Sequence, residues 1–186
     1  MRGVLAVLMS GAVAAWGQTT LSINGATAPA VAWLFNEGLW RGMLAGVEVR
    51  TVIPHQSVLF SLPLEISATV DYFRPTASTV ALADDYRGWI IRGALVWQAA
   101  NPVGVYLRLG GGVSVGERYR REVAWDSASA YRWFPARSFV ASWGMGIQGK
   151  ITRHLGWNAE AEILTGDELG LLLPLRIGIH YRWGTE

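Results

Sequence analysis

The stretch from Leu171 to Trp183 constrains the fold most. Leu171, Leu173, Leu175, Ile177, Ile179, Tyr181 and Trp183 share one parity; Leu172, Pro174, Arg176, Gly178, His180 and Arg182 share the other. Successive side chains of a strand point to opposite faces, so the segment predicts a strand with one apolar and one charged face.

Six further segments alternate in the same way. Arg41–Ile53 sets Met43, Ala45, Val47 and Val49 against Glu48 and Arg50, and Val58–Phe73 sets Ile66, Ala68, Val70 and Tyr72 against Glu65 and Asp71. Arg87–Ala99 sets Trp89, Ile91, Leu95 and Trp97 against Arg92, and Val103–Glu117 sets Val105, Leu107, Leu109 and Val113 against Arg108. Ser138–Lys150 sets Phe139, Trp143, Met145 and Ile147 against Lys150, and Leu155–Leu164 sets Trp157, Ala159, Ala161 and Ile163 against Glu160 and Glu162. Pro63 and Pro174 interrupt two of the seven segments; proline donates no ladder hydrogen bond, so each predicts a bulge or a rim position.

The connections alternate between short (54–57, 101–102, 152–154) and longer (74–86, 118–137, 165–169). Short turns on one side and long loops on the other characterise barrels that cross a bacterial outer membrane, where the short turns face the periplasm. The first clear strand then runs inward, which requires an earlier strand. Thr19–Ala28 is that eighth strand, with 30–39 as the first outer loop. The expected fold is all-β: an eight-stranded antiparallel up-and-down transmembrane β-barrel, with both termini periplasmic.

Composition agrees. Charged residues are only 16 % of the chain, glycine numbers 22 and tryptophan 10, and the net charge of +2 comes without a basic block for nucleic acid. With no cysteine there is no disulfide framework and no acylated lipoprotein site. Arg2, the short apolar run from Val4 to Ala15 and the small residues of Ala15-Trp16-Gly17 form a signal-peptide pattern. Residues 1–17 are therefore expected to be a signal peptide and 18–186 the barrel.

Alternation alone leaves open which face looks inward. A soluble lipocalin-like ligand carrier would be apolar inside. Tyr72, Trp89, Trp97, Trp157, Tyr181 and Trp183 lie near strand ends on the apolar face, as in the aromatic girdles of membrane barrels. The polar face is rich in glycine (Gly110, Gly112, Gly144, Gly146, Gly178) and poor in lysine. Lipid outside is the expectation. The lumen should then hold Glu48, Glu65, Asp71, Glu160 and Glu162 against Arg50, Arg92, Arg108, Lys150, Arg176 and Arg182, with His180 hydrogen-bonded among them. Buried charge persists only when paired, so this is expected to be an ion-pair plug rather than a narrow channel.

Arg176-Ile177-Gly178-Ile179-His180-Tyr181-Arg182-Trp183 resembles the C-terminal assembly signal of outer-membrane proteins, carried by Arg176, Gly178, Tyr181 and Trp183, although Gly184-Thr185-Glu186 follow it. The signal peptide, the strand pattern and this terminal strand resemble the small OmpA/OmpX-like outer-membrane β-barrel family over nearly the whole chain. The resemblance implies a monomer in contact with outer-membrane lipid and lipopolysaccharide, inserted by the barrel-assembly machinery, with a structural or adhesive role.

That family also includes lipid-modifying enzymes. Lipid A deacylase barrels carry His-x-Ser on a late strand, whereas His180 is followed by Tyr181 and Arg182. His55-Gln56-Ser57 has the spacing but lies in a short turn, where both side chains read as backbone caps. His154 is a turn residue. No catalytic residue, metal site or cofactor is expected. The best candidate for an interaction surface is the longest outer loop, through Arg118, Arg120, Arg121, Trp125, Tyr131, Arg132 and Trp133. Its arginines and aromatics suit phosphates and sugars, and its backbone could offer a sheet edge to a partner.

Overall fold

The computed structural model describes residues 19–31, 39–53, 64–75, 86–98, 103–122 and 130–183. They form nine strands: β1 (Thr19–Val31), β2 (Leu39–Val52), β3 (Leu64–Pro75), β4 (Tyr86–Gln98), β5 (Val103–Glu122), β6 (Ala130–Lys150), β7 (Leu155–Gly166), β8 (Gly170–Leu172) and β9 (Leu175–Trp183). From β1 to β8 each strand pairs antiparallel with the next, β9 pairs with β7, and β1 pairs with β2 on one side and with β9 on the other. The sheet therefore closes on itself as an antiparallel barrel.

The ring has eight walls, because β8 and β9 are one wall interrupted at Leu173 and Pro174. The pairs Leu164↔Leu172 and Ala161↔Leu175 keep one register across the break, so no residue is inserted. Pro174 is buried, and its carbonyl still accepts from the Glu162 N–H at 3.0 Å. The interruption is a missing donor rather than a bulge. Pro63, with the rest of 58–63, lies outside the described residues, as do the expected signal segment and the three residues after Trp183.

Two boundaries differ from the sequence reading. The first wall extends to Val31, into the expected first loop. The expected loop 118–137 is largely strand: β5 has 20 residues and β6 has 21, against 12 for β7. Arg118↔Phe134, Tyr119↔Trp133, Arg120↔Arg132 and Arg121↔Tyr131 are ladder pairs, so the two strands project as a hairpin. The end of the barrel bearing it is the hairpin end. The other, with the 151–154 turn, Thr19 and Trp183, is the turn end.

The faces sort as parity requires. The inward side chains are buried, whereas the outward ones are large, apolar and bare: Phe139 is 85 % exposed, Ile177 72 % and Ile23 67 %. A soluble barrel has the reverse arrangement. Contiguous apolar surface on this scale calls for a hydrophobic surround. Outward aromatics flank the apolar belt, with Tyr72 and Trp89 (centroids 4.9 Å apart) toward the hairpin end. His154, Tyr181 and Trp183 stack at the turn end. Trp89 and Trp97 are about eight residues apart on β4, roughly 27 Å along the strand, which a tilt near 40° reduces to about 20 Å.

Candidate functional site

The interior is built in layers. Midway along the lumen, Asp71 of β3 accepts from Arg92 Nη2 at 2.7 Å and from both terminal nitrogens of Arg176, at 3.0 and 2.7 Å. Glu162 of β7 meets Arg92 through Nη1, and its Oε2 lies 2.9 Å from Arg176 Nε as an ion-pair contact. Two arginines and two carboxylates from β3, β4, β7 and β9 thus close a ring across the barrel. Asp71 fits because Gly46 stands opposite it on β2, and a Cβ there would occupy the carboxylate's place.

Toward the turn end lies a second group. Arg50 donates to Glu48 at 2.9 and 3.1 Å. Arg108 reaches Glu48 at 3.1 Å and Glu160 at 3.4 Å, and donates to Thr69 at 2.5 Å and Ser67 at 3.2 Å. The Tyr106 hydroxyl donates to Glu160 at 2.8 Å, and its ring lies 4.6 Å from the Arg50 guanidinium carbon. Gly146 leaves the space that the Tyr106 ring fills. Across both groups, Arg50, Arg92, Arg108 and Arg176 balance Glu48, Asp71, Glu160 and Glu162. All eight are buried.

Toward the hairpin end the lining turns apolar. Leu44, Phe73, Tyr86, Ile90, Val140, Leu164 and Leu172 pack together, with Phe73 stacked on Tyr86 at 6.4 Å. The turn at 167–169 folds over this layer: Leu169 is buried in it, and Glu168 accepts from Arg118 Nη1 at 3.2 Å. Of these apolar side chains the sequence pattern names only Leu172 on the charged face. Their inward parity was the available signal: Leu44 precedes Glu48, and Ile90 precedes Arg92, by even steps.

The remaining expected lumen residues lie apart. Glu65 and His180 are buried nearer the turn end, and among the described residues neither forms an ion pair with the eight. The His180 ring fills the space beside Gly156. Arg182 is half-buried at the rim, its backbone N–H donating to the His154 carbonyl at 2.8 Å. Lys150 keeps the inward parity but is exposed. It sits at the last rung of β6, opposite Gly156, where the long amine-tipped side chain reaches water. His154 is exposed, and its Nδ1 lies 3.2 Å from the Arg182 carbonyl oxygen. His55 and Ser57 lie outside the described residues. Among the described residues no group of His, Asp and Glu converges as a metal site.

On the projecting hairpin, Tyr119 and Trp133 pack with centroids 5.3 Å apart on the outward face, and Arg132 is exposed. Arg118 points inward. Arg120, Arg121 and Tyr131 hold ladder positions, and Trp125 lies in the segment outside the described residues. The four terminal-strand positions all fall on β9. Arg176 and Gly178 face in, Tyr181 is exposed, Trp183 is half-exposed, and the strand pairs with β1 from Thr27↔Leu175 to Thr19↔Trp183.

No protein-family model matches the sequence, and no characterised protein matches it at the sequence level. Solved structures do match the fold. Neisserial surface protein A superimposes with a TM-score of 0.61 at 14 % identity, covering 90 % of this chain and 99 % of its own. The attachment invasion locus protein Ail of Yersinia pestis gives 0.58 at 16 %, covering 90 % and 99 %. The N-terminal β-barrel domain of Pseudomonas aeruginosa OprF gives 0.54 at 12 %, covering 90 % and 98 %. At such identities the likeness is one of fold, and the fold of this chain is that of the small eight-stranded outer-membrane β-barrels.

Proposed function

We propose that this chain is a bacterial outer-membrane barrel whose lumen is a plug rather than a pore. Its role is non-enzymatic: structural support, or interaction at the cell surface through the hairpin end. The observation that carries the reading is the reversal of the usual protein interior. Four arginines and four carboxylates pair inside, while leucine, isoleucine, valine and phenylalanine stand bare outside. Such a wall is stable in lipid, and such a lumen is stable only when closed around its charges.

In this reading residues 1–17 are a signal peptide removed on export, and both barrel termini face the periplasm. The machinery that inserts barrels reads β9 through Arg176, Gly178, Tyr181 and Trp183. The protein is a monomer whose hairpin arginines and aromatics meet lipopolysaccharide sugars, phosphates or a surface partner. One structural neighbour is, by its name, a protein of attachment and invasion.

The test is gel mobility of the detergent-folded protein with and without boiling, joined to conductance in a planar bilayer. A heat-dependent shift with no discrete conductance steps is the expected result. Absence of a shift, with solubility in plain buffer, overturns the membrane reading. Stable unitary conductance overturns the plug.

A further inference from the structure

Above the apolar belt, one arc of the outward surface turns basic. The outward positions next beyond Tyr72 and Trp89 toward the hairpin end are Arg74 on β3 and Arg87 on β4, both exposed. On β6, Arg137 is exposed opposite Val115 of β5, with Phe139 the next outward residue toward the turn end. Arg87 is held in place. Its Nε donates to Glu117 at 2.7 Å, and its guanidinium carbon lies 4.2 Å from the centroid of the Trp133 ring. Arg74 and Arg137 form no ion pair among the described residues. On the β8–β9 wall the corresponding outward residues are Leu171, Leu173 and Leu175, so the basic face is one-sided.

We infer that Arg74, Arg87 and Arg137 form a rim site for the head group of a lipid carrying more than one phosphate, its acyl chains lying against Trp89 and Phe139. The inference rests on the membrane reading above. A guanidinium set just beyond a hydrocarbon belt lies at the depth of lipid phosphates, and its planar fork matches two phosphate oxygens. Arg87 and Arg137 are two strands apart and two residues out of register, roughly 12 Å between backbones. That spacing suits two phosphates on one head group better than a single anion. Glu117 opposes the site by occupying Arg87, so the ligand competes with an existing ion pair.

The test uses the full barrel folded into phosphatidylcholine nanodiscs doped with diphosphoryl lipid A, or with the same lipid after removal of both phosphates. Lipid retained on the protein after detergent extraction is counted by native mass spectrometry. The wild-type barrel should retain the diphosphoryl lipid on the order of a hundredfold more than the Arg74→Gln, Arg87→Gln, Arg137→Gln triple variant, since each basic side chain at an anionic lipid surface is worth about fivefold. Glu117→Gln, which frees Arg87, should raise retention. Equal retention by wild type and triple variant overturns the site, as does equal retention of the dephosphorylated lipid. Release by millimolar inorganic phosphate reassigns it to a soluble anion and overturns the lipid. The boiling shift shows separately whether each variant is folded. If the triple variant is not, Arg137→Gln alone should lower retention about fivefold. Failure of the wild type to enter the nanodisc would instead overturn the membrane reading itself.

Discussion

Two neighbouring layers of the lumen solve the same problem by opposite means. At the hairpin end, Leu44, Phe73, Ile90, Val140 and Leu164 fill the barrel with hydrocarbon. In the middle, Asp71, Arg92, Glu162 and Arg176 fill it with charge. The apolar layer is held by many small, interchangeable contacts, so its members can be trimmed one at a time. The ionic layer is held by few contacts that depend on one another: Asp71 serves two arginines, and each of those serves Glu162 as well. Losing one member leaves one buried charge uncompensated. Packing tolerates substitution, whereas the charge ring tolerates only matched substitution.

The sharpest way to break this contrast is Asp71→Ala, which leaves two buried arginines, Arg92 and Arg176, to share Glu162. The barrel should lose about 3–5 kcal/mol of stability, read as a lower urea midpoint of the heat-modifiable form. Leu164→Ala, a deletion of similar depth in the apolar layer, should cost about 2–4 kcal/mol by cavity formation. If Leu164→Ala cost more than Asp71→Ala, the ionic layer would not be the less tolerant of the two. Replacing Arg92 and Glu162 together by methionine removes a matched pair and leaves the two-pronged Asp71–Arg176 contact. Stability should stay within about 1 kcal/mol of wild type in the same titration, and a loss as large as that of Asp71→Ala would show that charge itself, not matching, is what counts. The smallest effect belongs outside: Arg87→Ala breaks an exposed ion pair and should change the midpoint by no more than about 0.5 kcal/mol. A larger loss there would give the rim a structural role beside its proposed lipid contact.

Most of the fold was legible because a strand has a period of two. Parity put Glu48, Arg50, Asp71, Arg92, Arg108, Glu160, Glu162 and Arg176 on one face, the girdle aromatics and the glycines turned that face inward, and all eight are buried. Lys150 has the same parity yet is exposed, because it sits where the wall ends. Parity also carries no information on height. That Asp71 of β3 meets Arg176, 105 residues later, follows from the stagger of the ring, which no single strand encodes. The hairpin was hidden for a different reason. In Arg118-Tyr119-Arg120-Arg121 both faces are polar or amphipathic, because a strand clear of the belt no longer needs one greasy side. The folded-over turn was hidden as well, since the burial of Leu169 depends on the mouth it covers.

Thr19 and Trp183 are partners in one ladder. The described barrel therefore has no first strand in space, only a first strand in time. A chain joined from Trp183 to Thr19 and opened instead within the 151–154 turn would enclose the same charges in the same ring, with its new ends still at the turn end. What distinguishes β9 is then its order of arrival. It is the strand made last, and it meets the strand that has waited longest for a neighbour.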